Sequence, residues 1–283
     1  MTEFFQAVGE MRLLQLALAT GVLASVACGI VGSYVVTRRI TYIAGAISHC
    51  VLGGMGAARY LDVRYGWHEF TPLWGAVIAS VISALIIGLV SLRAKEREDT
   101  VIGAIWAVGM ATGVLFIAKT PGYDKDLMSY LFGNILMVSP DDLWLLAGLD
   151  LLIVAAGLLF YNKFLAVCFD EEFARLRGIA VEFYYLLLLC LIALTVVVLV
   201  KVVGIILVIA LLTLPAATAG QFARTLTRMM IGATLICMAT TIGGLALSYG
   251  PELPAGATMI VLSAAVYVLA ILASRALKPS LRK

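Results

Sequence analysis

Residues 42 to 61, YIAGAISHCVLGGMGAARYL, are long and apolar enough for a membrane helix, yet they carry a histidine, His49, near their middle. A helix needs about 20 mostly apolar residues to cross a bilayer. Residues four apart lie on one helix face, so Gly45, His49 and Gly53 form a stripe, with Gly56 close to it. Small residues allow a second helix to pack closely. An ionisable residue in a membrane usually faces protein or a water-filled cavity. The stretch therefore predicts a membrane helix that points His49 into the protein.

The whole chain has the composition of a membrane protein. Of its 283 residues, 63% are hydrophobic and 13% are charged, whereas a soluble domain carries about 25% charged residues. The net charge of +3 does not indicate nucleic-acid binding, because the basic residues lie in loops between apolar stretches. The five cysteines form no CxxC pair, which predicts packed free thiols rather than disulfides or a zinc site.

Nine apolar stretches predict an all-α, polytopic helical membrane protein, with eight or ten spans as alternatives. The predicted spans cover about 13–37, 42–61, 72–92, 100–118, 142–161, 182–200, 202–220, 230–249 and 256–274. Only Lys201 separates the sixth and seventh spans, which predicts a short turn there. The apolar core of residues 120–142 is too short to span, so we expect it at the interface or re-entering the membrane.

The distribution of lysine and arginine predicts the orientation. With the N-terminus outside, the inside loops hold more than twice as many basic residues as the outside loops. Cytoplasmic loops favour lysine and arginine, so we expect the N-terminus outside and the C-terminus in the cytoplasm.

Enzymatic motifs are missing from the sequence. It contains no GxxxxGK[ST] phosphate loop, so the chain is not expected to hydrolyse nucleotide or to bind a cofactor of its own. Its two histidines, His49 and His68, form no HExxH motif, and no nucleophile with a base and an orienting group is apparent.

Two ionisable residues lie deep in predicted spans. Neutral imidazole binds zinc, manganese and iron, which makes His49 the candidate metal ligand; the alternative is a histidine bonded to a neighbouring helix. Cys50 is a weaker candidate, because one residue along a helix turns by about 100°. Asp150, in LLAGLDLLIVAAG, either lines the same pathway or is a carboxyl paired with a hydroxyl or backbone group.

The most polar inside loop is AVCFDEEFARLRGIAVEF, residues 166–183. Acids early and bases late suit the dipole of a short helix, and a glycine then suits its C-terminal cap. The residues concerned are Asp170, Glu171, Glu172, Arg175, Arg177 and Gly178. This predicts a short amphipathic helix for a soluble partner, and the alternative is a solvated connector between two spans.

Four stretches resemble the permease subunit of metal-type ABC importers, which take up zinc, manganese or iron. They are RRITYIAGAISHCVLGG (38–54), DLMSYLFGNILMVSPDDL (126–143), FDEEFARLRGI (169–179) and VGIILVIALLTLPAATA (203–219). The matches are in order and spread over most of the chain. YLFG followed by LPAATA is the most specific part.

The resemblance implies a single transmembrane permease domain over residues 1–283, similar to importers of iron chelates and vitamin B12. It implies a homodimer in the lipid of the bacterial inner membrane, two cytoplasmic ATPase subunits that carry ATP and Mg²⁺, and an extracytoplasmic metal-binding protein. The segment at about 169–179 would be the coupling helix, on which closure of the ATPases pushes. Pro215, in the LTLP motif, would remove a backbone donor and kink its helix.

One position departs from the family pattern. The family usually places an aspartate four residues before the histidine of the second span, and here that position is Gly45. Two His49 side chains would then meet across a homodimer axis without carboxylates, which favours zinc or iron over manganese, or passage without tight binding. It also leaves Asp150 as a substitute carboxylate. We expect zinc as the cargo, with manganese and iron as alternatives.

A single-component secondary transporter or channel for a metal ion is the alternative function. The outside loops carry candidate docking charges for the binding protein, which are otherwise ordinary solvated residues. These are Arg64, His68, Glu69, Lys119, Asp124, Lys125 and Asp126.

Overall fold

A computed structural model describes residues 7–93, 98–120, 133, 135, 138–205, 208–251 and 253–277. Its helices in these ranges, in chain order, are α1 (Arg12–Arg38), α2 (Thr41–Tyr65), α3 (Pro72–Arg93), α4 (Glu98–Lys119), α5 (Pro140–Leu159), α6 (Tyr161–Phe169), α7 (Glu171–Leu176), α8 (Val181–Val203), α9 (Val208–Gly220), α10 (Leu226–Tyr249) and α11 (Ala255–Leu277). The all-α fold class predicted from the sequence is confirmed.

Helices of the described ranges occupy all nine predicted spans. Seven of them are both long and apolar enough to cross a membrane. The helix α2 is long enough, with 25 residues, but its glycines and His49 make it less apolar than the seven. The helix α9 has only 13 residues. The nine predicted spans therefore correspond to seven full-length apolar helices together with α2 and the short α9.

The turn predicted at Lys201 is wrong. The helix α8 continues through Lys201 and ends at Gly204, which has φ 77° and ψ 168°. Only glycine adopts this conformation readily, so the glycine rather than the charged residue ends the helix. A Cβ at Gly133 would overlap the backbone of Val203 and Gly204, so Gly133 packs directly against this break. The other residues of the YLFG motif lie outside the described ranges, and their placement stays a prediction.

The helices α1 and α8 form the centre of the bundle, and α4, α5 and α11 lie at its periphery. Tyr34 of α1 is fully buried, and its hydroxyl donates to the Gly157 carbonyl oxygen of α5 at 2.9 Å. Its ring meets Phe164 of α6 edge-on, with 5.3 Å between the ring centroids. The central α1 therefore fixes the elements that lead into α7.

Candidate functional site

The glycine stripe of α2 packs against α4, and we call this contact the His49 seam. A Cβ added at Gly53 would lie 3.0 Å from the carbonyl oxygen of Gly109. A Cβ added at Gly56 would lie 3.0 Å from the carbonyl oxygen of Gly113. The two backbones therefore approach closely at glycines on both sides, which confirms the packing predicted from the stripe.

His49 lies half-buried in this seam. Its Nδ1 atom is 2.9 Å from the carbonyl oxygen of Gly45, and its ring stacks on Trp106 of α4 with 4.4 Å between the centroids. A carbonyl oxygen only accepts, so Nδ1 donates this hydrogen bond, which leaves Nε2 as the ring nitrogen available to a metal ion. Histidines that bind metals commonly donate their other nitrogen to a carbonyl in this way. His49 thus bonds to its own helix rather than to a neighbouring one.

The position of the missing carboxylate is filled by other residues. A Cβ at Gly45 would lie 2.8 Å from Cδ1 of Ile209 and 3.3 Å from the ring of Trp106. A longer acidic side chain would need both neighbours to move. This packing is a physical reason for a glycine at position 45.

Cys50 has its own hydrogen-bond partner on α4. Its buried thiol donates to the carbonyl oxygen of Ile105 at 3.3 Å. The same residue lines an apolar cavity of about 550 Å³ between α2, α3 and α4. The role of Cys50 as a weaker candidate metal ligand stays a prediction.

Asp150 lies on α5, beside Ala27 and Cys28 of α1, and is 5% exposed. Its Oδ1 atom has no hydrogen-bond partner among the described residues. His49 instead contacts α4. Across the described ranges, no three His, Cys, Asp or Glu side chains are grouped to hold a metal ion. The structure therefore does not bring Asp150 to His49, and its role in a pathway stays a prediction.

The predicted helix of the polar loop is α7. We call residues 169–179 the coupling segment, after the role that the sequence resemblance implies. Asp170 caps its start, because its Oδ1 accepts from the backbone N–H of Phe173 at 2.9 Å. Gly178 has φ 73°, and its N–H donates to the carbonyl oxygen of Arg175 at 3.0 Å. The prediction of a short helix closed by Gly178 is confirmed.

Some charged side chains of the coupling segment have partners within the chain. The Glu171 carboxylate accepts from the guanidinium of Arg38, at the end of α1. The Arg177 guanidinium lies over the Phe173 ring, 4.9 Å from its centroid. Glu172 and Arg175 are exposed to solvent.

The charge pattern did not single out the apolar side chains of this segment. Leu176 is 87% exposed and Phe173 is 47% exposed, one helical turn apart. Phe169, just before α7, is exposed as well. The spacing of the apolar residues in FDEEFARL was the sequence signal that could have identified them. Exposed apolar groups beside charges are typical of a docking surface.

At the other end of α2, Asp62 accepts from Arg59 at 2.8 Å and contacts Nδ1 of His68 at 2.7 Å. Arg64 and Lys119 line a shared cavity of about 350 Å³. Of the remaining predicted docking charges, Glu69 is exposed, whereas Asp124, Lys125 and Asp126 lie outside the described residues.

Comparison with known proteins gives matches over nearly the whole chain. Residues 10–274 match the model of the ABC 3 transport family. A "Probable metal transport system membrane protein" of Chlamydia pneumoniae is 40% identical, over 91% of this chain and 87% of its own length. The "Manganese transport system membrane protein MntC" of Halalkalibacterium halodurans is 33% identical, over 95% of this chain and 90% of its own. The solved structure "PsaBC from Streptococcus pneumoniae in complex with Fab" contains a chain with a TM-score of 0.85 and 29% identity, covering 95% of this chain and 94% of that chain.

Proposed function

The chain belongs to the ABC 3 transport family and is the transmembrane permease of an ABC metal importer, and we propose that it passes a divalent transition metal ion along the His49 seam. One observation carries this proposal. The carbonyl oxygen of Gly45 holds the Nδ1 proton of His49, which leaves the Nε2 lone pair for a metal ion.

Manganese is the first candidate cargo, because the Halalkalibacterium halodurans relative is named for manganese transport. Zinc is the second candidate, and the packing at Gly45 favours it. Ile209 and Trp106 fill the space of the family's aspartate, so the seam offers imidazole without a neighbouring carboxylate. Imidazole alone suits zinc better than manganese, which prefers oxygen ligands.

The proposal includes an assembly. Two copies of the chain pair in the bacterial inner membrane, so that two His49 side chains serve one pathway. Two ATPase subunits, which hold ATP and Mg²⁺, bind the coupling segment through Phe173, Leu176 and the exposed Glu172 and Arg175. A metal-binding protein docks on the opposite face, where the N-terminus lies, and the C-terminus is cytoplasmic.

Competitive uptake of manganese, zinc and iron by the complete transporter tests the cargo and the seam together. We expect His49→Ala to lower uptake of the true cargo by about tenfold or more, since ligands and their partners each contribute at least that much. Cys190→Ala is the control, because Cys190 is a half-buried free thiol on α8, outside the seam. Equal uptake by the two variants would remove His49 from the pathway.

Asp150→Asn separates the two interpretations of the second ionisable residue. The substitution keeps the shape of the side chain and removes its capacity to ionise. Loss of uptake with normal assembly would place Asp150 in the pathway. Normal uptake would leave it as a packing residue of the α1–α5 contact.

A further inference from the structure

We propose that Arg38 is a positioning residue that transmits movement of the coupling segment to the helix that carries His49. This inference rests on the proposed function, because it takes the coupling segment to be the part on which an ATPase acts. It adds a specific link between that segment and the pathway.

Arg38 joins three elements at one guanidinium group. The group donates to the Glu171 carboxylate of α7 and to the Val167 carbonyl oxygen of α6. It also lies over the Tyr185 ring of α8, 4.7 Å from the ring centroid. Charge-assisted hydrogen bonds and cation–π contacts are among the stronger polar contacts, so Arg38 follows the coupling segment when that segment moves.

The backbone of Arg38 leads directly into α2. It is the last residue of α1, and only Arg39 and Ile40 separate it from Thr41. The N–H of Arg39 donates to the carbonyl oxygen of Val36 at 3.3 Å. The N–H of Ile40 donates to the carbonyl oxygen of Val35 at 3.2 Å. On the other side, the N–H groups of Ile43 and Ala44 both donate to the carbonyl oxygen of Ile40.

This corner contains no free connector that would absorb a displacement. His49 lies about 12 Å along the helix axis from the first residue of α2, at about 1.5 Å per residue. A shift or tilt of the corner therefore reaches His49 through two turns of continuous helix.

The ion pair between Arg38 and Glu171 resists separation. The Arg38 side chain is 16% exposed and its Nε atom has no partner among the described residues, whereas the Glu171 side chain is 41% exposed. Separating the pair would leave a mostly buried cation without its anion, which is costly. Burial raises the pKa of the nearby Cys168 thiol to about 12, so that neighbour stays neutral and does not replace Glu171. Movement of α7 away from Arg38 is therefore resisted unless the α1–α2 corner follows.

The test uses the complete transporter, permease with its ATPase, in proteoliposomes, and measures metal transported per ATP hydrolysed. We expect Arg38→Gln and Glu171→Gln each to lower this ratio by about fivefold or more, the lower end of typical coupling between sites. Arg39→Gln is the matched control, because Arg39 is the adjacent arginine and is exposed. We expect it to keep the wild-type ratio.

The double variant Arg38→Gln/Glu171→Gln decides whether the two residues act as one unit. If they do, the double variant loses no more than the worse single variant. Losses that multiply would overturn the link, and so would wild-type ratios in both single variants. Size-exclusion chromatography of the complex identifies any variant that fails to assemble; if Arg38→Gln fails, the more exposed Glu171→Gln carries the test.

The wild-type complex distinguishes the two levels of the proposal. If it transports no metal, the proposed function fails and the link fails with it. If it transports metal and every single variant that assembles keeps the wild-type ratio, only the link fails.

Discussion

The His49 seam and the coupling segment are held in place by opposite kinds of contact. In the seam, backbone meets backbone at glycines, and the His49 ring is fixed by stacking on Trp106 together with one hydrogen bond to the Gly45 carbonyl oxygen. In the coupling segment, the contacts are an ion pair, a carboxylate cap and a cation–π contact. The first set depends mainly on shape, and the second depends mainly on polar groups.

The difference follows from the surrounding medium. Lipid is as apolar as a leucine side chain, so helices in a membrane associate through close packing rather than through the hydrophobic effect. At the aqueous face, small polar elements compete with water and need caps and charges to hold one conformation. The seam should therefore respond to added volume, and the coupling segment to lost hydrogen bonds.

The largest effect is expected from added volume in the seam. A Cβ at Gly113 of α4 would lie 2.8 Å from the carbonyl carbon of Leu52 and 2.9 Å from the nitrogen of Gly53, and these backbone atoms cannot turn aside. We expect Gly113→Ala to destabilise the folded permease by about 1–3 kcal/mol. The measurement is thermal unfolding in detergent, followed by size-exclusion chromatography.

Gly103→Ala on the same helix is the control, because a Cβ there meets nothing within 4 Å. Alanine is the better helix former by up to about 1 kcal/mol, so this variant should be neutral or stabilised. Equal losses in both variants would show that close approach to α2 is not the cause of the loss at Gly113.

A smaller effect is expected from the aromatic ring that orients His49. Trp106→Ala removes the stacking contact, which is worth up to about 1.5 kcal/mol, and so should raise the metal concentration for half-maximal uptake by up to about tenfold. Trp106→Phe keeps an aromatic face and should recover most of the affinity. If the two variants transport alike, the ring does not position His49, and shape is not what holds the site.

The sequence predicted the positions of the helices along the chain better than the contacts between them. Hydrophobic length placed the helices, and the four-residue spacing of Gly45, His49 and Gly53 placed one face of α2 against protein. Periodicity identifies a buried face but does not say which helix covers it. The stacking of Trp106 on His49 was therefore not predictable, nor was the pairing of Arg38 with Glu171, since each joins residues far apart in the chain.

The wrong boundary at Lys201 has a related cause. A charged residue in an apolar run appeared to mark a turn, but a lysine is compatible with a helix, and backbone conformation decides where a helix stops. Gly204 supplies a conformation that other residues avoid, and α8 ends there. In the coupling segment the same logic succeeded, because Gly178 was taken as the stop signal.

The smallest effect is expected at the cap of the coupling segment, where a carboxylate acts as an acceptor rather than as a charge. Asp170→Ala leaves the N–H of Phe173 without its acceptor, which typically costs about 1 kcal/mol. Faster hydrogen exchange at the first amides of α7 is the expected result. Asp170→Asn keeps an oxygen at the same place and caps a helix about equally well, so its exchange should match the wild type. If Asn preserves slow exchange but still reduces transport, the Asp170 charge acts on a partner, and the coupling segment depends on charge beyond its own fold.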